Sequence, residues 1–379
     1  MLKVLHAADV HLDSPFTKEN IRLAEMRRGE QRSAFVDLMM YARENGVQLL
    51  LLPGDLFDHL SPAPQTVEMF ERELRAAAER GCEIFIAPGN HDPYVPGGLW
   101  DKLDLPENVH IFRSERPEAV DLPDLGVTVW GYCFREGSVP PDPFTADYTF
   151  RPDRMNVLLA HADLYSASGD CPVTTAEIRA SGFDYVALGH IHKGSGLQKE
   201  GDTYYVYPGC LEGRDFGECG EKGALLALME KKEGVFRMEA TFRRFSKRRY
   251  EQTVLDVTGM ESTEQVAEAL AKAVKEQGYG EDTLLRVVFT GRAKPALRLH
   301  GNAFRAVSDR LCQLEVKDQT FPEASEEDLA GDPTVRGEFY RLLLPLFREG
   351  TDAEKEQAAL ALRFGLAALD GNDVTTDLS

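Results

Sequence analysis

Five short stretches of this chain carry side chains able to hold metal ions. Near the N-terminus, VLHAADVHLDSPF places Asp9 and His11 two residues apart. Residues i and i+2 of an extended segment point the same way, so both side chains leave one face and can reach one ion. LLLLPGDLFD offers Asp55 and Asp58, FIAPGNHD offers Asn90, His91 and Asp92, LLAHADL offers His161, and VALGHIH repeats the i, i+2 spacing with His190 and His192. A single apolar run ending in Asp or His is ordinarily a turn or a surface residue. Five such endings in one chain point instead to a site assembled from the ends of several strands. His6 lies inside the first run and reads as a core histidine. His59, His110 and His300 have no such setting and read as structural or exposed.

The donor types select the chemistry. Oxygen and imidazole donors without thiolate suit Mn, Fe, Zn or Mg rather than a structural zinc–cysteine site. The donors exceed the needs of one ion, and two ions about 3.5–4 Å apart sharing a carboxylate would account for the surplus. Such a pair grips phosphate oxygens, lowers the pKa of a bound water and favours in-line hydrolysis of a phosphate ester. A histidine left over from ligation could protonate the departing oxygen or stabilise its charge.

The elements that position these residues follow from hydrophobic patterning. Short apolar runs, several of them Val-, Ile- or Tyr-rich and ending in Gly, Pro or Asp, read as buried strands, with helical patterns over about 21–45 and 64–80 between the first of them. Sheets with helices outside are the natural packing. This texture fills residues 1–250 and closes on the basic segment FRRFSKRRY. A small βαβ-like unit follows over 251–322, with Ser262 and Gln265 as a capping pattern before an amphipathic helix. Residues 323–379 read as an acidic linker and two helices, the first shortened or kinked at Pro345.

Bulk properties narrow the function. The formal net charge is −20, whereas a protein that grips long nucleic acid unaided usually carries a basic face. Either the substrate is small, or its phosphate contacts are local, or a partner holds the polymer; alternatively the acidity serves only solubility and mutual repulsion. No apolar stretch is long enough to cross a membrane. Met1-Leu2-Lys3 leads directly into a strand-like run without the features of a signal peptide, and the six cysteines form no paired framework. These features point to a reduced, cytoplasmic protein.

The ordered set D-x-H, GD-x-x-D, GNHD, a lone His and GH-x-H resembles the calcineurin-like metallophosphoesterase superfamily. HAADVHLDSPF, GDLFD and YPGCLEGRDFGECGEKG make the chain similar to its SbcD-type and YhaO-like DNA-repair exonucleases. The resemblance implies an α/β (α+β) fold, a two-sheet β-sandwich flanked by helices, plus a small α/β capping domain and C-terminal helices. It implies Asp9, His11, Asp55 and His192 around one metal, and Asp55 (bridging), Asn90, His161 and His190 around the other, with manganese as the ion. His91 resembles the catalytic histidine, and Asp58 and Asp92 would orient imidazoles and water. Asp13 stands where SbcD-type proteins usually have Gly, adding a carboxylate near the metals that would touch a ligand or repel substrate. Arg214 is the candidate for substrate phosphate, against a loop salt bridge to Asp215 or Glu218. Further arginines, Arg22, Arg27, Arg28 and Arg32, and Arg243, Arg244, Arg248 and Arg249, are DNA-contact candidates or solvated surface.

The implied activity is hydrolysis of DNA phosphodiester bonds by a repair exonuclease or endonuclease subunit. The implied partner is an SMC-like coiled-coil ATPase (SbcC-type) on which the C-terminal helices dock, against the reading in which Phe339, Leu342, Leu346, Leu362, Phe364 and Leu366 pack on the body of this chain. A homodimer through the Phe35–Met40 face stands beside the reading of that face as core. Two other functions stay open: a phosphodiesterase for cyclic or other small nucleotides, and an adaptor that mainly tethers the ATPase.

Overall fold

In the computed structural model the apolar runs become strands of two six-stranded sheets. The structure describes residues 1–379 other than 18–19, 137–139, 168, 295–296, 323–325 and 370–379. In the first sheet β1 (Leu2–His6), β2 (Leu49–Pro53), β3 (Glu83–Ala87) and β4 (Val109–Ile111) lie side by side and parallel. The second contains β5 (Glu118–Leu122), β6 (Val127–Gly131), β7 (Met155–His161), β8 (Tyr185–Gly189), β9 (Gln198–Glu200) and β10 (Thr203–Val206), in the order β5-β6-β7-β8-β10-β9. Its central strands β6, β7, β8 and β10 are parallel. The chain then returns to the first sheet as β11 (Gly223–Lys232) and β12 (Val235–Arg244), antiparallel beyond β1.

Alternation along the strands builds the layers. Val4, Leu49, Leu51 and Phe85 of the first sheet meet Val127, Val157, Leu159, Tyr185 and Ala187 of the second in one buried cluster. The residues between them face outward: Leu5, Leu50, Leu52, Ile84 and Ile86 pack under α1 (Ile21–Glu44) and α2 (Pro64–Ala78). Both faces of β2 are thus covered, which is why its sequence is apolar without interruption. Phe35, Leu38 and Met39 of α1 belong to this core, and Phe35 stacks on Phe70 at 5.2 Å between centroids. Of the apolar face considered for a homodimer, Met40 is the residue left exposed.

The chain divides into two units, Met1–Arg249 and Tyr250–Ser379. The second holds a three-stranded sheet of Arg249–Asp256, Thr283–Thr290 and Gln313–Asp318. Helix Thr263–Glu276 lays Val266, Leu270 and Val274 against Leu285, Val287 and Phe289. Ser262 caps it by accepting from the Gln265 N–H. The expected linker opens with 323–325, outside the described residues. Helix Val335–Glu349 runs through Pro345, and Tyr340 buries against Leu362 and Leu366 of helix Asp352–Leu369. Leu342 and Leu346 point elsewhere and are 68% and 44% exposed. No helix among the described residues is long and apolar enough to cross a membrane.

Candidate metal centre

Parallel strands deliver their C-terminal ends to one edge, so β1, β2 and β3 release their loops together, as do β7 and β8. Asp9, Asp55 and Asn90 follow the first three, His161 ends β7, and His190 follows β8. Backbone bonds tie the first two loops: Asp9 N donates to Gly54 O at 3.2 Å and His11 N to Asp55 O at 2.9 Å. Asp9, His11, Asp55 and His190 all have positive φ, between 48° and 99°, an uncommon conformation for non-glycine residues that clusters at functional sites. Two glycines allow the loops to close. A Cβ on Gly54 would lie 2.1 Å from His161 Nδ1, and one on Gly189 would lie 1.8 Å from Pro53 O.

Donor atoms of Asp9, His11, Asp55 and His192 all lie within 4.8 Å of one another. Asp55 Oδ2 is 3.6 Å from His11 Nε2 and 3.4 Å from His161 Nε2, so one carboxylate oxygen lies between two groups of donors. Beside His161, Asn90 Oδ1 is 2.8 Å from Nε2, and Asn90 Nδ2 is held by Asp170 Oδ2 at 3.2 Å.

The orienting partners test whether this set fits cations. His11 Nδ1 lies 3.0 Å from Asp58 Oδ1 and His192 Nδ1 lies 2.7 Å from Glu218 Oε1. Each carboxylate accepts a hydrogen bond from Nδ1–H, which leaves Nε2 as a lone-pair donor. The two Nε2 atoms nonetheless face each other at 3.1 Å. Two lone pairs at that distance repel unless a cation joins them, and burial reinforces the neutral form by pushing His11 down to about 4. Burial alone would also lower His161, but the Asp55 carboxylate outweighs it and the imidazole is pushed up to about 9, so this position too favours positive charge. Asp9, raised to about 6 by burial, is held by two bonds from His190 N at 2.9 and 3.1 Å. The residues fit divalent ions.

A model of the calcineurin-like phosphoesterase family matches residues 2–194. The "Uncharacterized metallophosphoesterase YhaO" of Bacillus subtilis is 31% identical over 77% of this chain and 72% of its own length. The chain belongs to the calcineurin-like phosphoesterase family. It is also similar to the "DNA double-strand break repair protein Mre11" of Methanopyrus kandleri, at 29% identity over 63% of this chain and 54% of that protein. A component of the SbcCD nuclease of Bacillus subtilis is 23% identical over 58% of this chain and 64% of its own length. The chain thus spans between half and two thirds of the length of these last two relatives. A metal-dependent phosphoesterase with this donor set employs divalent ions.

The other residues singled out in this phosphoesterase fall into distinct places. His91 donates its backbone N–H to Asp55 Oδ1 at 2.9 Å, its Nδ1 is 3.2 Å from Asp58 O, and its ring meets His11 edge-on at 4.8 Å. Asp92 serves the backbone rather than an imidazole, accepting from Gly89, Leu56 and Phe57 N–H groups at 2.7, 2.7 and 3.1 Å. Asp13 is also differently placed from expectation. Ala63 at the N-terminus of α2 has no capping oxygen, and Asp13 supplies one from another loop, accepting from Ala63 N and Thr66 Oγ1, each at 2.7 Å, and from Arg32 at 3.3 Å. Arg214, expected at substrate phosphate, lies between Asp58 and Glu218. Arg27 is fully buried against Glu212, with Glu30 at its other side, so it is no surface contact for DNA.

Two residues escape sequence reading. Glu218 reads there as a partner of Arg214 and not of His192; its place in the loop after GH-x-H is the available signal. Asp163, 3.7 Å from His190 Nε2, follows His161 at i+2, the same spacing that draws attention to Asp9 and His11.

Proposed function

We propose that this protein is a two-metal phosphodiesterase acting on DNA, as the nuclease subunit of a repair exonuclease or endonuclease. The observation that carries the reading is Asp55 Oδ2, positioned between His11 Nε2 and His161 Nε2. Asp9, His11, Asp55 and His192 would hold one ion, and Asp55, Asn90, His161 and His190 the other, with Mn²⁺ the expected metal. When bound, the ions supply charge for the phosphate oxygens and a water of lowered pKa. His91 contributes an imidazole fixed at the rim by its backbone bond to Asp55, able to deliver a proton to the departing oxygen. Asp58 keeps His11 in the tautomer that presents Nε2.

Likeness to proteins named for double-strand-break repair and for the SbcCD nuclease supports DNA as substrate. Residues 251–322 would form the cap that restricts access, and 323–379 the helices that meet an SMC-like coiled-coil ATPase. Exposed Leu342 and Leu346 support that last assignment. The net charge of −20 favours one competing reading, a phosphodiesterase for cyclic or other small nucleotides. A mere adaptor would have no need of the full donor set.

Hydrolysis by purified protein with Mn²⁺ tests this, comparing linear duplex DNA, hairpin DNA and a small diester, with His91→Ala in parallel. The expected result is DNA cleavage that disappears in the variant. Turnover of the small diester alone, unchanged when the coiled-coil ATPase is added, would favour the small-nucleotide enzyme.

A further inference from the structure

Resting on the two-metal reading, we infer that Arg214 is a positioning residue which, together with Glu218, aims the imidazoles of His11 and His192, rather than a residue that binds phosphate. Its guanidinium joins the two carboxylates that orient these rings. Nη1 donates to Asp58 Oδ1 at 3.0 Å, the same oxygen that accepts from His11 Nδ1. Nη2 and Nε donate to Glu218 Oε1 at 2.9 and 3.2 Å, the same oxygen that accepts from His192 Nδ1. Nη2 also lies 2.9 Å from His192 Nδ1, so both donors converge on that oxygen. The other Glu218 oxygen accepts from the Arg214 backbone N–H at 2.7 Å, which locks loop and side chain together.

A planar fork with donors on two edges is suited to hold two carboxylates in a fixed relation, and an ammonium is not. The consequence reaches the donors. With Asp58 and Glu218 fixed, both Nδ1 atoms keep their protons and both Nε2 atoms are left as lone-pair donors, 3.1 Å apart. Charge argues against a phosphate role. One guanidinium shared by two carboxylates leaves the trio negative, and an approaching phosphate dianion or diester meets no unbalanced cation there. Asp58, Glu218 and Arg214 are all mostly buried, their side chains 14%, 12% and 21% exposed.

Mn²⁺ titration of the full chain by calorimetry and by EPR of free Mn²⁺ tests the inference, with Arg214→Gln and Arg214→Lys. In Arg214→Gln one of two Mn²⁺ sites should weaken by about 10–100-fold, the usual effect of removing an outer partner of a ligand, while the other site is unchanged. At saturating Mn²⁺ the KM for bis(4-nitrophenyl) phosphate should stay within about twofold. Arg214→Lys, which keeps the charge and loses the fork, should resemble Arg214→Gln in metal binding. Glu218→Gln should weaken the same site, and it carries the test if Arg214→Gln fails to fold. Unaltered Mn²⁺ binding with a KM raised about tenfold in Arg214→Gln and restored in Arg214→Lys would overturn the inference and return Arg214 to the phosphate. A wild-type chain that binds no divalent ion would instead sink the two-metal reading itself, and the inference with it.

Discussion

His6 Nδ1 and the Tyr185 hydroxyl meet at 2.7 Å across the interior of the sandwich, joining β1 of one sheet to β8 of the other. The pair is fully buried, and burial lowers the His6 pKa from 6.5 to about 3. A depressed histidine favours the fold while it is neutral. Its contribution is therefore intact above about pH 6.5 and is lost as pH falls toward 3. Between pH 7 and pH 5 the loss is about 2 kcal/mol, taking about 1.4 kcal/mol per unit. His6→Gln, which cannot titrate, should show a smaller drop in urea midpoint over that interval than wild type. Equal drops would assign the acid sensitivity to other groups.

Asp13→Ala separates support of α2 from chemistry. Losing the only side-chain oxygen at the Ala63 N–H and the Thr66 hydroxyl among the described residues should cost about 1–2 kcal/mol. Thermal melting reads that cost, while Mn²⁺ stoichiometry and diester turnover should match wild type. Loss of a bound ion in this variant would place Asp13 back beside the metals.

His91→Ala should lower kcat by about 10²–10⁴-fold without changing metal stoichiometry, as expected for removal of a proton donor. The deficit should be larger for an alkoxide leaving group than for 4-nitrophenolate, which needs no proton to depart. A deficit independent of the leaving group would assign His91 to binding the phosphate oxygens.

Leu342→Glu with Leu346→Glu should abolish capture of the coiled-coil ATPase proposed as partner and leave melting within about 0.5 kcal/mol per substitution, since both side chains face solvent. Capture undiminished by the pair would move the docking surface elsewhere.

Local rules carry the reading of this sequence a long way. Short apolar runs and their Gly-Asp, Gly-Asn and Gly-His endings are short-range signals, and the strands and the loops after them follow directly. The two-sheet sandwich rests on more, since it enters with the ordered motif set. Charged residues are harder because their partners are remote in sequence. Arg214 reaches Asp58 across 156 positions, Arg27 reaches Glu212 across 185, and Asp13 caps a helix 50 positions away. By sequence Arg214 reads as a phosphate contact, Arg27 as a DNA contact or solvated surface and Asp13 as a neighbour of the metals, because no spacing rule encodes the remote partner that each one meets in the fold. Glu218 is hidden for the same reason.

The distribution of donors has a consequence for folding. Asp9, His11, Asp55 and Asn90 come from loops of the first sheet, whereas His161 and His190 come from the second. The centre therefore does not exist in either sheet alone and forms only when the two have docked in register. An ion held between Asp55 and His161 would fasten the halves of the sandwich as a rivet does, and metal availability would then set how often they part. At a free ion concentration 100 times its Kd, such a rivet would add about 2.7 kcal/mol against opening. Protease resistance of this unit should thus rise and fall with the metal supply.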